Sequence, residues 1–179
     1  MCPGFWRKSK TVPRSRLERR ASRVALAAVR IFAQRAELSL DLPELLRATR
    51  TYFDATLDVL SQAAGTHDVG DRVEVELRST QHGYVGRFSI RARRTSEHDL
   101  ADARDAEQRG RAAGMAALAE RCPSIWEVEP LAEDSELARL NLCGILASVA
   151  LGPVLPDDCA TLYGVRGSME RVARLLETR

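Results

Sequence analysis

Two short runs of alternating side chains constrain this chain more than anything else in it. In the first, Val73, Val75 and Leu77 alternate with Glu74, Glu76 and Arg78. In the second, Tyr84, Gly86, Phe88, Ile90 and Ala92 alternate with Val85, Arg87, Ser89, Arg91 and Arg93. A period of two belongs to a strand with one buried face. Pairing the runs about Ser79-Thr80-Gln81-His82-Gly83, with Gly83 free to take a positive φ, makes a hairpin whose wet side sets glutamates against arginines. Each opposed charge pair contributes only about 0.2–1 kcal/mol, against about 1.5–3 kcal/mol for a buried Val, Leu, Ile or Phe. The apolar face holds the ribbon, and helices must cover it.

The flanking patterns supply those helices. After the hairpin, Ser96 is a natural N-cap, with Glu97, Asp99 and Asp102 near the positive end of a helix. That helix continues through Asp105/Arg109 and Glu107/Arg111 at i,i+4 spacing until Cys122-Pro123 ends it. Ile125, Trp126 and Val128 then read as a third strand, closed by Pro130. Upstream, Leu17, Val24, Ala27, Ala28 and Ile31 line one stripe of a basic helix from Ser15 to about Glu37. A second helix, capped by Asp41 with Pro43 in its first turn, should run to about Ala64. Downstream, Ser135 to about Leu151 is apolar nearly all round and reads as a helix, with a strand over Ala147 to Val154 as the alternative. Asp157 or Asp158 could cap a short helix to Tyr163, and Ser168 a terminal one.

The expected fold is therefore α+β. A small, mainly antiparallel three-stranded sheet (hairpin 73–93 plus strand 125–129) is covered by helices and preceded by an αα-hairpin. Residues 1–13 read as a flexible basic arm and residues 14–179 as a single domain, long enough to bury a core without disulfide or metal staples. Cys2, Cys122, Cys143 and Cys159 have no CxxC pairing and read as reduced thiols of a cytoplasmic protein. The apolar stretch from Leu140 to Leu155 is interrupted and too short to span a bilayer.

Charge is unevenly placed. Residues 1–35 hold ten basic side chains against one acid, Glu18, a net of +9; with +2 overall, the rest of the chain carries −7. A basic N-terminal segment ahead of an acidic body suggests a polyanion as partner, nucleic acid first, because clustered cations release counterions from phosphates. Arg14, Arg16, Arg19, Arg20 and Arg23 are the candidate contacts, with Phe5 and Trp6 as stacking groups. Arg outnumbers Lys 25 to 2, a bias that a GC-rich genome produces unaided, but it does not account for the clustering. The alanine-rich stripe of this segment is weak for burial in a membrane surface.

A second anion-binding candidate is Gly164, Arg166, Gly167 and Ser168, since glycines before a helix let backbone N–H groups approach a phosphate. Gly164-Val165-Arg166-Gly167 resembles the GxxG loop of KH domains, which implies a clamp on single-stranded nucleic acid. Met169 and Val172 sit one residue off that motif's apolar spacing, so no family is assigned; a glycine break between helices is the plainer explanation. His98, Asp102 and Asp105 share a helical face, but acids in a first turn serve the dipole and no further ligands complete a metal site. His67 and His82 are loop residues, Trp126, Tyr84 and Phe88 core residues. Neither a GxSxG elbow, nor a P-loop, nor GxGxxG occurs, and the carboxylates beside Cys159 disfavour a thiolate.

The reading from sequence is a non-catalytic binding protein that needs no cofactor and meets an anionic partner through its N-terminal arginines. One alternative is an assembly module whose first helix binds an acidic protein or a second copy. The other is a small enzyme or phosphate-ligand binder using Gly164 to Ser168.

Overall fold

The computed structural model describes residues 28–66, 70–131 and 135–178; the arm expected over 1–13 and the basic segment up to residue 27 lie outside them. The chain runs β1 (Val29–Ala33), α1 (Leu42–Tyr52), β2 (Thr56–Ala63), β3 (Arg72–Ser79), β4 (Tyr84–Arg94), α2 (Glu97–Gly110), α3 (Met115–Ala119), β5 (Ser124–Pro130), α4 (Glu136–Ala150), β6 (Val154–Leu155) and α5 (Val165–Glu177). Every strand pairing is antiparallel, in the order β2-β3-β4-β5-β1-β6. The fold is α+β with a six-stranded sheet and five helices, which corrects the expectation of three strands behind an αα-hairpin.

β3 and β4 form the hairpin, with Val75 opposite Phe88 and Glu76 opposite Arg87, and Gly83 in its turn has φ +63°. The strands missing from the expectation are β1, β2 and β6, and the physical reason differs between the first two. In β1, Val29, Ile31 and Ala33 enter one core while Phe32 enters the other, so both faces are buried and no polar alternation survives. Its apolar residues merge with the helical stripe upstream. In β2 the pattern fails because the strand is barely buried: Leu57 is covered, but Val59 to Ala63 are exposed. The helix expected over this stretch begins at its expected cap, the Asp41 carboxylate accepting from the Glu44 N–H at 3.1 Å. It stops at Tyr52, where Asp54 turns into the left-handed region (φ +45°) and redirects the chain into β2.

Helices cover both sides of the sheet, not one. Against one side, α1, α4 and α5 enclose a core that includes Ile31, Trp126, Val128, Ile90 and Phe88. Eleven of the fifteen residues of α4 are buried, as its all-round apolar sequence requires, and Gly144 lets Phe53 and Ser168 come close to its backbone. Against the other side, Phe32, Ile125 and Leu155 meet Ala103 and Ala106 of α2 and Ala116 and Ala119 of α3. Both helices fall within the single one expected before Cys122. It breaks where Arg111 takes φ +52°, and the Glu107 carboxylate then accepts from the N–H groups of Gly114 (2.8 Å) and Ala116 (2.5 Å), starting α3.

A buried carboxylate ties these layers together. Asp99, 1% exposed, sits in the capping box of α2 and accepts from both terminal nitrogens of Arg93 on β4 (2.7 and 2.8 Å), from Arg30 on β1 (2.8 Å) and from Ser96 Oγ (2.6 Å). Burial by itself would raise the Asp99 carboxyl, but the hydrogen bonds from Arg93, Ser96 and Arg30 outweigh it and hold it well below the usual carboxylate range. Arg30 also reaches Asp102 at 2.7 Å and Arg93 reaches Glu127 at 2.6 Å. Among the described residues, no helix is long and apolar enough to cross a membrane.

Candidate functional site

A cleft of about 340 Å³ opens where the chain enters β1, between α4, α5 and the connection 156–163. The volume falls in the range of small-ligand sites. Its walls follow from helical spacing. Glu136, Arg139, Leu140 and Cys143 occupy i, i+3, i+4 and i+7 of α4, and Arg171, Arg174 and Leu175 occupy i, i+3 and i+4 of α5, so each helix presents a single face. The third wall is a tight turn: Asp158 Oδ1 accepts from the Ala160 N–H at 2.9 Å and the Cys159 N–H donates to Pro156 O at 3.0 Å. This turn replaces the short helix expected there, and its two aspartates serve the bend. Tyr163 follows, locked by two hydrogen bonds to Val154 and nearly fully buried.

The electrostatics are bipolar. Arg139 is paired with Asp157 at 3.2 Å. Arg171 lies over the Tyr163 ring, its guanidinium carbon 3.9 Å from the centroid, and one of its nitrogens donates to Gly167 O at 3.4 Å. No ion pair joins Arg171 or Arg174 to a carboxylate among the described residues. On the facing walls, Glu136 and Asp158 have no guanidinium within salt-bridge distance among the described residues. One side can meet an anion and the other can accept from amino or hydroxyl groups. Burial raises the Tyr163 phenol, which stays protonated at neutral pH.

Neither a known protein family, nor a curated protein, nor a solved structure matches this chain.

Arg14, Arg16, Arg19, Arg20 and Arg23 lie outside the described residues. Of the same basic cluster, Arg30 is committed to Asp99 and Asp102, and Arg35 to Asp41 at 2.7 Å. The four residues proposed as a glycine loop form the first turn of α5 and its cap. Gly164 is the N-cap, and Arg166 is exposed and bonded to Glu170 at 3.0 Å. A Cβ on Gly167 would lie 2.7 Å from Tyr163 Cβ, and Ser168 is 1% exposed, packed by Gly144. Gly167 and Ser168 thus pack the helix instead of facing an open loop. His98 is exposed and 3.7 Å from Asp102, whose carboxylate is engaged by Arg30.

Sequence reasoning missed Arg139, Arg171 and Arg174. The only available signal was basic residues three apart on the wet side of an amphipathic helix, which every solvated helix shows. Cys122 and Cys143 are buried, and Cys159 is half-buried with its sulfur accepting from Arg30 at 3.2 Å. Burial pushes the Cys122 thiol up to about 11.

Proposed function

We propose that the chain is a non-catalytic binding protein for an anionic partner, single-stranded nucleic acid first, gripped by the arginine-rich N-terminal segment and by the cleft beside it. The observation that carries this reading is the place of the cleft: Val29, the first residue of β1 and six positions after Arg23, lines it together with Arg171 and Arg174, which have no carboxylate partner among the described residues. Phosphates would meet the guanidiniums of Arg14, Arg16, Arg19, Arg20, Arg23, Arg171 and Arg174. The acids Glu136 and Asp158 would repel phosphate but accept hydrogen bonds from the amino groups of unstacked bases. Arg171, a half-buried residue whose guanidinium lies over the Tyr163 ring, is of the kind on which bases stack.

The test is fluorescence anisotropy of a labelled single-stranded oligonucleotide of about 15 nucleotides against the full chain over a range of salt. Seven single-strand phosphate contacts predict a log–log salt slope near −5, and R171Q/R174Q should reduce its magnitude by about 1.4. Changing the five N-terminal arginines to Gln should reduce it by about 3.5. Binding that ignores salt, or no binding at low salt, would overturn the reading. An unchanged slope in R171Q/R174Q would remove the cleft from it.

A further inference from the structure

The two edges of the sheet are finished differently. At one, β6 is covered, because Val154 donates to Tyr163 O at 2.7 Å and accepts from its N–H at 3.2 Å. At the other, β2 pairs only with β3, and among the described residues no strand pairs with its outer edge. From Val59 through Thr66 every residue is exposed. Val59 (39% exposed) and Leu60 (49%) put two large apolar side chains next to each other there. Unpaired strand edges are guarded by lysine, proline, inward charge or a bulge, and of these β2 carries only the irregularity between Val59 and Ser61. Here residues 59–66 hold no charge and no proline, and the nearby Asp58 is already neutralised by Arg78.

We infer that β2 is a self-association edge, pairing antiparallel with β2 of a second copy to continue the sheet across a two-fold axis. The irregularity at Leu60 sets the register. Opposite β3, Val59 and Gln62 stand on the side of Val75 and Val73, whereas Asp58 and Ala63 stand on the side of Glu76 and Arg72. A two-fold pairing that respects these faces sets Val59 against Gln62 and Asp58 against Ala63 of the second copy. The two bulges then coincide at the axis, with the Leu60 side chains flanking it. No like charges face one another, and each Asp58 lies on the side of the other copy's Arg72. The uncharged edge therefore suits a second copy of this same uncharged strand, and it offers nothing to a basic or acidic peptide. A strand edge buries less than a standard interface of about 1,200–2,000 Å², so the dimer is weak, with a dissociation constant on the order of 1–100 µM.

Sedimentation equilibrium of the full chain from about 1 to 200 µM reads the association. The wild type is expected to pass from monomer to dimer. L60K, an exposed change that puts two lysines beside the axis, should raise the dissociation constant about tenfold or more, with no change in the melting temperature read at concentrations well below the wild-type dissociation constant. V85K, at an exposed position on β4, should leave it unchanged. Amide exchange over residues 59–63 should slow as concentration rises. A wild type that remains monomeric overturns the inference, as does a dimer indifferent to L60K. Slow exchange at 59–63 that is independent of concentration also overturns it, since the edge would then be covered by the protein's own chain.

Discussion

Replacing Asp99 tests how the three layers are joined. The carboxylate receives five hydrogen bonds, from Arg30 (2.8 Å), Arg93 (2.7 and 2.8 Å), Ser96 Oγ (2.6 Å) and the Ser96 N–H (2.9 Å). Its side chain is 2% exposed, and those of Arg30 and Arg93 are 14% and 25% exposed. Asp99→Ala leaves two largely buried cations short of charge, a defect that costs about 3–5 kcal/mol when a buried pair is broken. Arg30 keeps Asp102 and Arg93 keeps Glu127, which favours the low end of that range. Loss of the reciprocal cap at Ser96 adds about 1 kcal/mol. Against a typical total stability of about 5–15 kcal/mol, the change is large. At about 4–6 kcal/mol in all, it corresponds to a fall in melting temperature of roughly 8–24 °C for a domain of this size.

The pH dependence gives a second reading of the same group. Because the folded carboxyl titrates below its unfolded value, its stabilisation is complete above the unfolded value of about 3.9 and is lost as pH falls through the lower, folded one. Urea unfolding of the wild type should thus show stability dropping between about pH 5 and pH 2, with a shallower drop in Asp99→Asn. If Asp99→Asn unfolds within about 0.5 kcal/mol of the wild type at pH 7, or keeps the same acid slope, the clamp is not what holds α2 to the sheet.

Two further outcomes are expected. Phe32→Ala, which empties a fully buried site between the sheet and the layer of α2 and α3, should cost about 3–5 kcal/mol and speed amide exchange in both helices; a loss under about 1 kcal/mol would mean that layer does not rest on Phe32. Iodoacetamide on the native protein at about pH 8 should modify Cys159 while sparing Cys122, whose reactivity should climb only toward pH 11; peptide mapping that finds Cys122 modified first would contradict its burial.

The sequence alone determined what depends on near neighbours along the chain. The alternation of Val73, Val75 and Leu77 with charged residues marks a half-buried strand wherever it is placed, and the caps at Asp41 and Ser96 need only the N–H groups three residues on. The apolar run of α4 is legible for the same reason. Only the tertiary structure decided β1, β2 and β6. β1 is buried on both sides by residues far away in sequence, β2 is a strand chiefly because β3 hydrogen-bonds to it, and the two residues of β6 are too few to show a period. The cleft could not be read either. Val29, Arg139, Tyr163, Arg171 and Arg174 come together only when α4 and α5 pack beside the start of β1. Asp99 shows both kinds of determination in one residue: its place in the helix cap follows from Ser96, and its two arginine partners follow from the fold.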